Sequence, residues 1–434
     1  MNYQKMKPSG IDWIGAIPQH WNVQKAKYMF VQKSDRGNKK SLTLLSPTQN
    51  YGVIPQEMYE QLSGFSTVKL NEKTNFNLLK TVHKGAYVIS LRSFQGGFEY
   101  SEFEGVVSPA YQVFYPTVPV SDYFYKYLFK TQIFIDKINS YTMSLRDGKP
   151  IAYSDFGRTY IPVPPVLEQQ LIASHLDNKC SEIDTLVSDI QSQIDTLAEL
   201  KKSIIAEAVT KGLNSSVETK DSGIDWIGRI PKHWTKQKIK NACSLIGSGT
   251  TPSSNVMEYY DGDVNWIQSG DIYQVNEIQS VKTQISYLGL KSAPSLKVYV
   301  APFIVIAMYG GSVGNTAISK IDACVNQACC CLKPNKYNDL DFLYYWIEHC
   351  KADFLSIAIG GGQPNISQEK IKNQHYVVPP LNEQKEIAQY LKNKCAEIDT
   401  VILEKKQQLE TLEEYRKSLI YEYVTGKKQV KENA

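Results

Sequence analysis

The sequence predicts an α+β protein made twice over. It has two globular α/β domains carried on two long helices that pair as an antiparallel coiled coil, with a pseudo-twofold internal repeat. Three observations predict this. A tryptophan-bearing stretch, SGIDWIGAIPQHW at 9–21, returns as SGIDWIGRIPKHW at 222–234 with 11 of 13 residues identical. The segment VPPVLEQQLIASHLDNKCSEIDT (163–185) returns 215 residues later as VPPLNEQKEIAQYLKNKCAEIDT (378–400). Each of these second segments opens a run whose apolar residues alternate spacings of three and four, the mark of a helix–helix seam.

The expected organisation follows the repeat. Residues 1–21 form a strap, 22–162 a first domain, 163–212 a central helix, and 213–234 a linker with the second strap. A second domain at 235–377, a C-terminal helix at 378–426 and a tail at 427–434 complete the chain. Its length allows about two to four domains with cores of their own. The Ile, Trp, Pro and second Trp of each strap make an apolar ribbon expected to seat a domain against the helices. Between the matched ends, residues 22–160 and 235–375 show little mutual resemblance. A duplicated frame holding two unlike inserts implies one job done on two targets.

Pro164-Pro165 and Pro379-Pro380 start the helices, because proline suits the first turn and forbids an interior position. The seam of the first copy runs through Leu176, Ile183, Val187, Ile190, Ile194, Leu197 and Ile204, with Ala173, Cys180, Lys201 and Ala208 completing the heptads. The second copy has Leu391, Ile398, Ile402, Leu409, Leu412 and Leu419, with Ala388, Cys395, Lys405, Arg416 and Tyr423. Each helix is expected to span about 43 residues, roughly 60–65 Å. Two amphipathic helices on separate cores are the alternative; the consistently charged outer faces favour the coiled coil. Antiparallel pairing about a pseudo-twofold axis places Ile190 opposite Lys405 at the midpoint. It separates Cys180 from Cys395, which rules out a disulfide between them, and sets Lys201 and Arg416 each near a cysteine.

Net charge is +4 and unevenly spread: residues 19–162 carry 17 basic against 11 acidic side chains, and 163–231 carry 6 against 11. A basic block beside an acidic segment permits a nucleic-acid partner without requiring one. The longest apolar run, Val298 to Met308, contains Pro302 and is too short to span a bilayer, so no membrane association is expected. MNYQKMKPSG has no apolar core, and eight cysteines lack a regular framework; both fit a cytoplasmic protein.

Chemistry-bearing motifs point away from an enzyme. The Pro-Pro pairs lie only at the helix starts, so no Asp/Asn-Pro-Pro-aromatic loop for a flipped adenine is present, and no Gly-x-x-x-x-Gly-Lys-Ser/Thr exists. YGGSVGN (309–315) follows a strand-like run but opens no helix. Cys324, Cys329, Cys330 and Cys331 lack zinc-knuckle spacing and read as a buried strand whose neighbours face opposite ways.

The repeated SGIDWIG-x-IP-x-HW strap and the PP-x-x-EQ helix openings (Pro164, Pro165, Glu168, Gln169; Pro379, Pro380, Glu383, Gln384) resemble the specificity subunits of type I restriction–modification systems. So does the order block, helix, block, helix. GSGTTPSS (247–254), DGDVNWIQSGDI (261–272) and GGQPNIS (361–367) look like phrases of that family's target-recognition domains. The resemblance covers essentially the whole chain. It implies a non-catalytic subunit that recognises double-stranded DNA, each target-recognition domain reading one half of a bipartite asymmetric site. The coiled coil would set the spacer and dock two methyltransferase (M) subunits, and motor–nuclease (R) subunits would join them. S-adenosylmethionine, ATP and magnesium would be used by those partners, with no cofactor or metal bound by this chain. The competing reading is a coiled-coil scaffold whose variable blocks bind proteins.

Bases are read by Arg, Asn, Gln, Ser and Thr on loops, and phosphates by Lys, Arg and amides. In the first block this selects Arg92, Ser93 and Gln95, then Arg146, Lys149 and Tyr153, with Arg36, Lys39 and Lys40 for the backbone. In the second block it selects Ser248, Thr250 and Thr251, then Ser312 and Asn315, and Gln363, Asn365 and Ser367.

Overall fold

The structure, a computed structural model, describes residues 5–36, 42–65, 76–90, 97–141, 151–273, 275–358 and 364–430. The chain divides into two compact units, Met1–Ile190 with Lys406–Ala434, and Gln191–Lys405. Two long helices, a central one at Val166–Lys211 and a C-terminal one at Leu381–Val424, run through 46 and 44 residues. Each stops at a glycine in the left-handed region, Gly212 (φ 77°) and Gly426 (φ 71°), where a side chain is costly.

In the first unit, four short strands form an antiparallel sheet in the order Phe30–Lys33, Gln112–Pro116, Tyr87–Ile89, Phe98–Tyr100. Helices Asp122–Leu128, Gln132–Asn139 and Tyr153–Arg158 supply the rest of an aromatic core. Phe30 sits at its centre, its ring 5.3 Å from Tyr125 and 5.6 Å from Phe114 in edge-on contacts, a geometry favoured by ring quadrupoles. The same core takes in Ile172, Leu176 and Ile183 of the central helix and Leu419, Tyr423 and Val424 of the C-terminal helix. The start of one long helix therefore packs beside the end of the other.

In the second unit the sheet has five strands in the order Cys243–Ser248, Cys329–Pro334, Phe303–Ala307, Thr316–Ser319, Glu277–Ile278, the last pair parallel. Phe303–Ala307 is buried at every position. Its residues alternate between two cores: Ile304 and Ile306 face helix Leu340–His349 and the long helices, while Phe303, Val305 and Ala307 face the other side. The cysteine run obeys the same period of two, with Cys330 in one core and Cys329 and Cys331 in the other. Ile205, Ala208 and Val209 of the central helix and Ile387, Leu391 and Cys395 of the C-terminal helix join the first of these cores.

Each variable block enters and leaves through one ladder. Asn22–Lys25 pairs antiparallel with Tyr160–Val163, and Thr235–Lys238 pairs with His375–Val378, with Asn22 opposite Val163 and Thr235 opposite Val378. All thirteen seam residues named above are buried or half-buried. The basic seam residues reach across the helix pair: Lys201 Nζ lies 2.7 Å from Asp399 in the second unit, and Arg416 bonds Asp184 in the first. These two pairs are repeat counterparts with helix roles exchanged, as antiparallel packing requires. The seam cysteines lie where expected. Burial pushes the Cys395 thiol up to about 11 while Lys201 pulls the other way. Burial raises Cys180 too, opposed by a bond from Tyr127 and by Arg416.

Candidate nucleic-acid interface

Antiparallel pairing gathers alternate strand ends on one edge of each sheet. In the second unit this edge holds the end of Cys243–Ser248, the start of Cys329–Pro334, the end of Phe303–Ala307 and the start of Thr316–Ser319. The loops between them carry the candidates, and a further segment closes over them. Tyr309 bridges Asn365, Gly310 N–H donates to the Pro364 carbonyl at 2.9 Å, and Met308 N–H donates to Ala328 at 2.7 Å. Thr251 Oγ1 donates to Gln327 Oε1 at 2.6 Å, tying the first loop to the one before the cysteine strand. A Cβ on Gly249 would fall 1.7 Å from the Val325 carbonyl oxygen, so only glycine lets this loop turn there.

Thr251 and Asn365 are exposed, and Thr250, Ser312 and Asn315 are half-buried on this edge. Lys351 Nζ donates to Asn315 Oδ1 at 2.8 Å, which fixes the amide and leaves its other atoms free to read an edge. Ser248 and Ser367 have structural bonds: Ser248 Oγ donates to the Cys329 carbonyl at 2.7 Å, and the exposed Ser367 caps helix Gln368–Asn373 through Oγ. Gln363 lies outside the described residues. Gln327, exposed between the cysteine strands, and Lys351 were missed in the sequence. A polar Asn-Gln pair breaking an apolar run was the available signal for the first; nothing local marked the second.

The first unit repeats the arrangement. Lys33, Ile89, Phe98 and Gln112 end or begin strands on one sheet edge, and Arg36 stands exposed just beyond. Lys39, Lys40, Arg92, Ser93, Gln95, Arg146 and Lys149 lie outside the described residues. The residues flanking two of those segments meet at this edge: Ser90 N–H donates to Gly97 O at 2.7 Å, and Gln112 Nε2 donates to Ile151 O at 2.8 Å. Tyr153 is placed differently from the expectation. Its hydroxyl donates to the Phe30 carbonyl at 2.6 Å and its ring packs on Phe114 and Phe156, so it braces the sheet. Lys80, buried beneath with its ammonium on the Tyr111 carbonyl at 2.6 Å, has its pKa lowered by burial and then by the Arg36 charge.

The Glu-Gln pair of each helix start explains both repeats. In the first unit Glu168 Oε2 lies 2.7 Å from His20 Nε2 and accepts from Trp21 Nε1 at 3.0 Å. In the second, Glu383 Oε2 lies 2.8 Å from His233 Nε2, while Trp234 Nε1 finds no acceptor among the described residues. The neighbouring glutamines are buried and turn to the recognition block instead. Gln169 Oε1 accepts from Ser121 N–H at 2.9 Å, and Gln384 Oε1 accepts from Asp339 N–H at 2.8 Å. Both hold the residue that precedes a core helix of the block. The second tryptophan of each strap, Trp21 or Trp234, is fully buried and lies against the glycine ending the opposite long helix. A Cβ on Gly426 would come within 3.1 Å of Trp21, and one on Gly212 within 3.1 Å of Trp234.

Two sheet blocks, each clamped at its ends, braced on a helix pair and presenting a polar loop edge, define a duplicated binding protein. Among the described residues no group of three or more His, Cys, Asp or Glu could hold a metal ion, and no described helix is long and apolar enough to cross a membrane. Residues 231–414 match the family model of the type I restriction modification DNA specificity domain. The chain is 29% identical over 278 residues to the type I restriction enzyme MjaX specificity subunit of Methanocaldococcus jannaschii, covering 62% of this chain and 60% of that protein. It is 29% identical over 308 residues to the MjaVIII specificity subunit of the same organism, covering 67% and 68%. The match thus spans about three-fifths of the first of these relatives. A chain from a structure concerning complex assembly and conformational transition of the type I R-M system superposes with a TM-score of 0.70 at 14% identity, covering 94% of this chain and 98% of that one. That last likeness is one of fold. The chain is thus similar in sequence to specificity subunits of type I restriction enzymes, and residues 231–414 match that family's DNA specificity domain.

Proposed function

We propose that this chain is the DNA-reading subunit of a type I restriction–modification complex, with residues 22–162 and 235–377 as exchangeable target-recognition domains. Each reads one half of a bipartite, asymmetric site in double-stranded DNA, and the helix pair sets the spacer. Two methyltransferase subunits dock on the helices, motor–nuclease subunits join them, and the assembly works in the cytoplasm. The chain has no catalytic site of its own; S-adenosylmethionine, ATP and magnesium act in the partners.

One observation carries this reading: the second unit has a sheet edge where polar loops from distant parts of the block converge. There Thr251 bonds Gln327 and Tyr309 bridges Asn365 between loops, while Asn315 is held by Lys351. Side chains held in this way can meet base edges at little entropic cost. The terminal ladders support modularity, since a block anchored at one place can be exchanged without disturbing the frame.

The test is an exchange of residues 22–162 for another specificity subunit's block, followed by mapping of methylated sites in a host that supplies the partner subunits. One half-site should change while the other half and the spacer persist. A methylated motif in which both halves change together refutes two independent readers. Binding of the purified complex should also weaken as salt rises, log K falling linearly with log salt.

A further inference from the structure

Two amides on the loop edge of the second unit have their oxygens already engaged. Lys351 Nζ donates to Asn315 Oδ1 at 2.8 Å. An ammonium has donors and no acceptor, so this contact settles which way the amide points: oxygen toward Lys351, nitrogen away from it. Thr251 Oγ1 likewise donates to Gln327 Oε1 at 2.6 Å. Among the described residues neither amide nitrogen finds an acceptor, and Asn315 Nδ2 is not among the buried unpaired atoms. What these two amides offer to a ligand is their N–H groups. The backbone holds Asn315 as firmly as the side chain is held. Its N–H donates to Ser312 O at 2.9 Å, and its carbonyl accepts from Ala307 N–H at 2.8 Å. Gly314, just before it, lies in the left-handed region (φ 80°), and a Cβ there would come within 3.1 Å of Lys351 Cγ. The lysine stem thus lies against the turn that carries Asn315. A donor ordered in this way before binding loses little entropy on contact.

Base edges in the major groove differ in the donors and acceptors they show. Guanine shows two acceptors, N7 and O6, and thymine shows one, O4; adenine sets an amino donor beside its acceptor, and cytosine shows an amino donor. An asparagine selects adenine by using both ends of its amide, the N–H on N7 and the oxygen on N6. Asn315 is barred from that pairing. A base amino hydrogen brought to Oδ1 would stand beside the ammonium already bonded there, positive against positive. Adenine and cytosine are disfavoured for this reason. Guanine is favoured twice, because its two acceptors meet the Nδ2 donor and the positive field of Lys351 together. Thymine offers one acceptor and brings a methyl group toward a charge.

We infer that Asn315 reads a guanine in the half-site of the second recognition domain, donating from Nδ2 to its N7 or O6, with Lys351 as the positioning residue that enforces this choice. This rests on the proposed function and names the base that one fixed side chain of that domain selects.

The experiment is competition binding by the full chain in complex with its cognate methyltransferase subunit, on duplexes that carry the mapped methylation site with each of the four bases at every position. At one guanine of one half-site, replacement by any other base should cost wild type about 5- to 150-fold in affinity. Asn315→Asp keeps the Lys351 contact as an ion pair and presents acceptors alone, so it should abolish the guanine preference at that position and nowhere else. Lys351→Met releases the amide oxygen, so adenine should become tolerated there beside guanine. That is a change in the identity of the base, which a loosened fold would not produce. An Asn315→Asp complex that keeps every guanine preference, or a Lys351→Met complex that ranks the bases as wild type does, overturns the inference while DNA reading stands. So does a position that responds to Asn315→Asp but holds adenine, thymine or cytosine in the wild-type site. A wild-type complex that binds all the duplexes alike overturns the proposed function itself.

Discussion

Gln384→Leu should loosen the second recognition block from its helix. The Gln384 side chain is fully buried; its Oε1 accepts from Asp339 N–H at 2.8 Å, and its Nε2 donates to Pro379 O at 2.9 Å and Tyr337 O at 3.3 Å. Leucine matches the volume and removes all three bonds. Tyr337 is 67% exposed, so its carbonyl turns to water. The Pro379 carbonyl and the Asp339 N–H are left unpaired in low-dielectric surroundings. At about 1–3 kcal/mol each, with half-buried Asp339 at the lower end, the loss is about 2–4 kcal/mol. It falls on helix Leu340–His349, whose first turn Asp339 caps through Phe342 N–H. Urea unfolding followed by tryptophan fluorescence should show an earlier transition for the second unit, and hydrogen exchange should show lost protection across residues 339–349. Helix Asp122–Leu128 of the first unit should be untouched, and Asn382→Leu, exposed two residues earlier, should match wild type. A Gln384→Leu chain with wild-type unfolding and unchanged exchange in 339–349 would refute the claim that this amide ties block to frame.

The remaining expectations concern both units. Gly426→Ala should destabilise more than Gly212→Ala: both incur the left-handed penalty of about 1–2 kcal/mol, but a Cβ on Gly426 would lie 2.3 Å from Pro18 Cδ while one on Gly212 meets the Trp234 ring at 3.1 Å. Thermal unfolding of the two variants checks the order. Burial pushes the Glu99 carboxyl from 4.5 up to about 7 despite the Lys130 ammonium. The folded first unit therefore holds a proton that the unfolded chain releases, so this contribution to stability is full below pH 4.5 and is lost as pH rises through about 7. Glu99→Gln should flatten that slope in the first unit's unfolding midpoint measured against pH. Asn315→Ala should relax recognition at a base of one half-site by about 1–3 kcal/mol, read by competition binding, and Lys351→Met should weaken the same position by freeing the amide.

The frame was legible because its signals are local. Heptad spacing marks the face a helix will bury wherever the helix lies, and the charge–cysteine neighbours at Lys201 and Arg416 followed from antiparallel symmetry alone. Pro-Pro pairs placed both helix starts within a few residues. The blocks were harder. The second block's buried strand Phe303–Ala307 could be foreseen as an unbroken apolar run and the cysteines from the two-sidedness of a strand, but the short strands Tyr87–Ile89 and Phe98–Tyr100 carry no turn or alternation long enough to read. Tyr153 shows the limit for the site: a tyrosine in a polar loop phrase reads as a ligand contact until the Phe30 carbonyl is found 2.6 Å from its hydroxyl.

By itself, then, the sequence determined the duplication, the two helices and their seam, because repeats and periodicity are properties of the chain taken in order. Only the tertiary structure decided which loops share an edge and which partners the Glu-Gln pairs take. It also decided that the second tryptophan of each strap lies against the end of the opposite helix. These depend on strand pairing and packing between residues far apart in the chain, such as Thr251 with Gln327 or Trp21 with Gly426, for which no spacing along the sequence carries a signal.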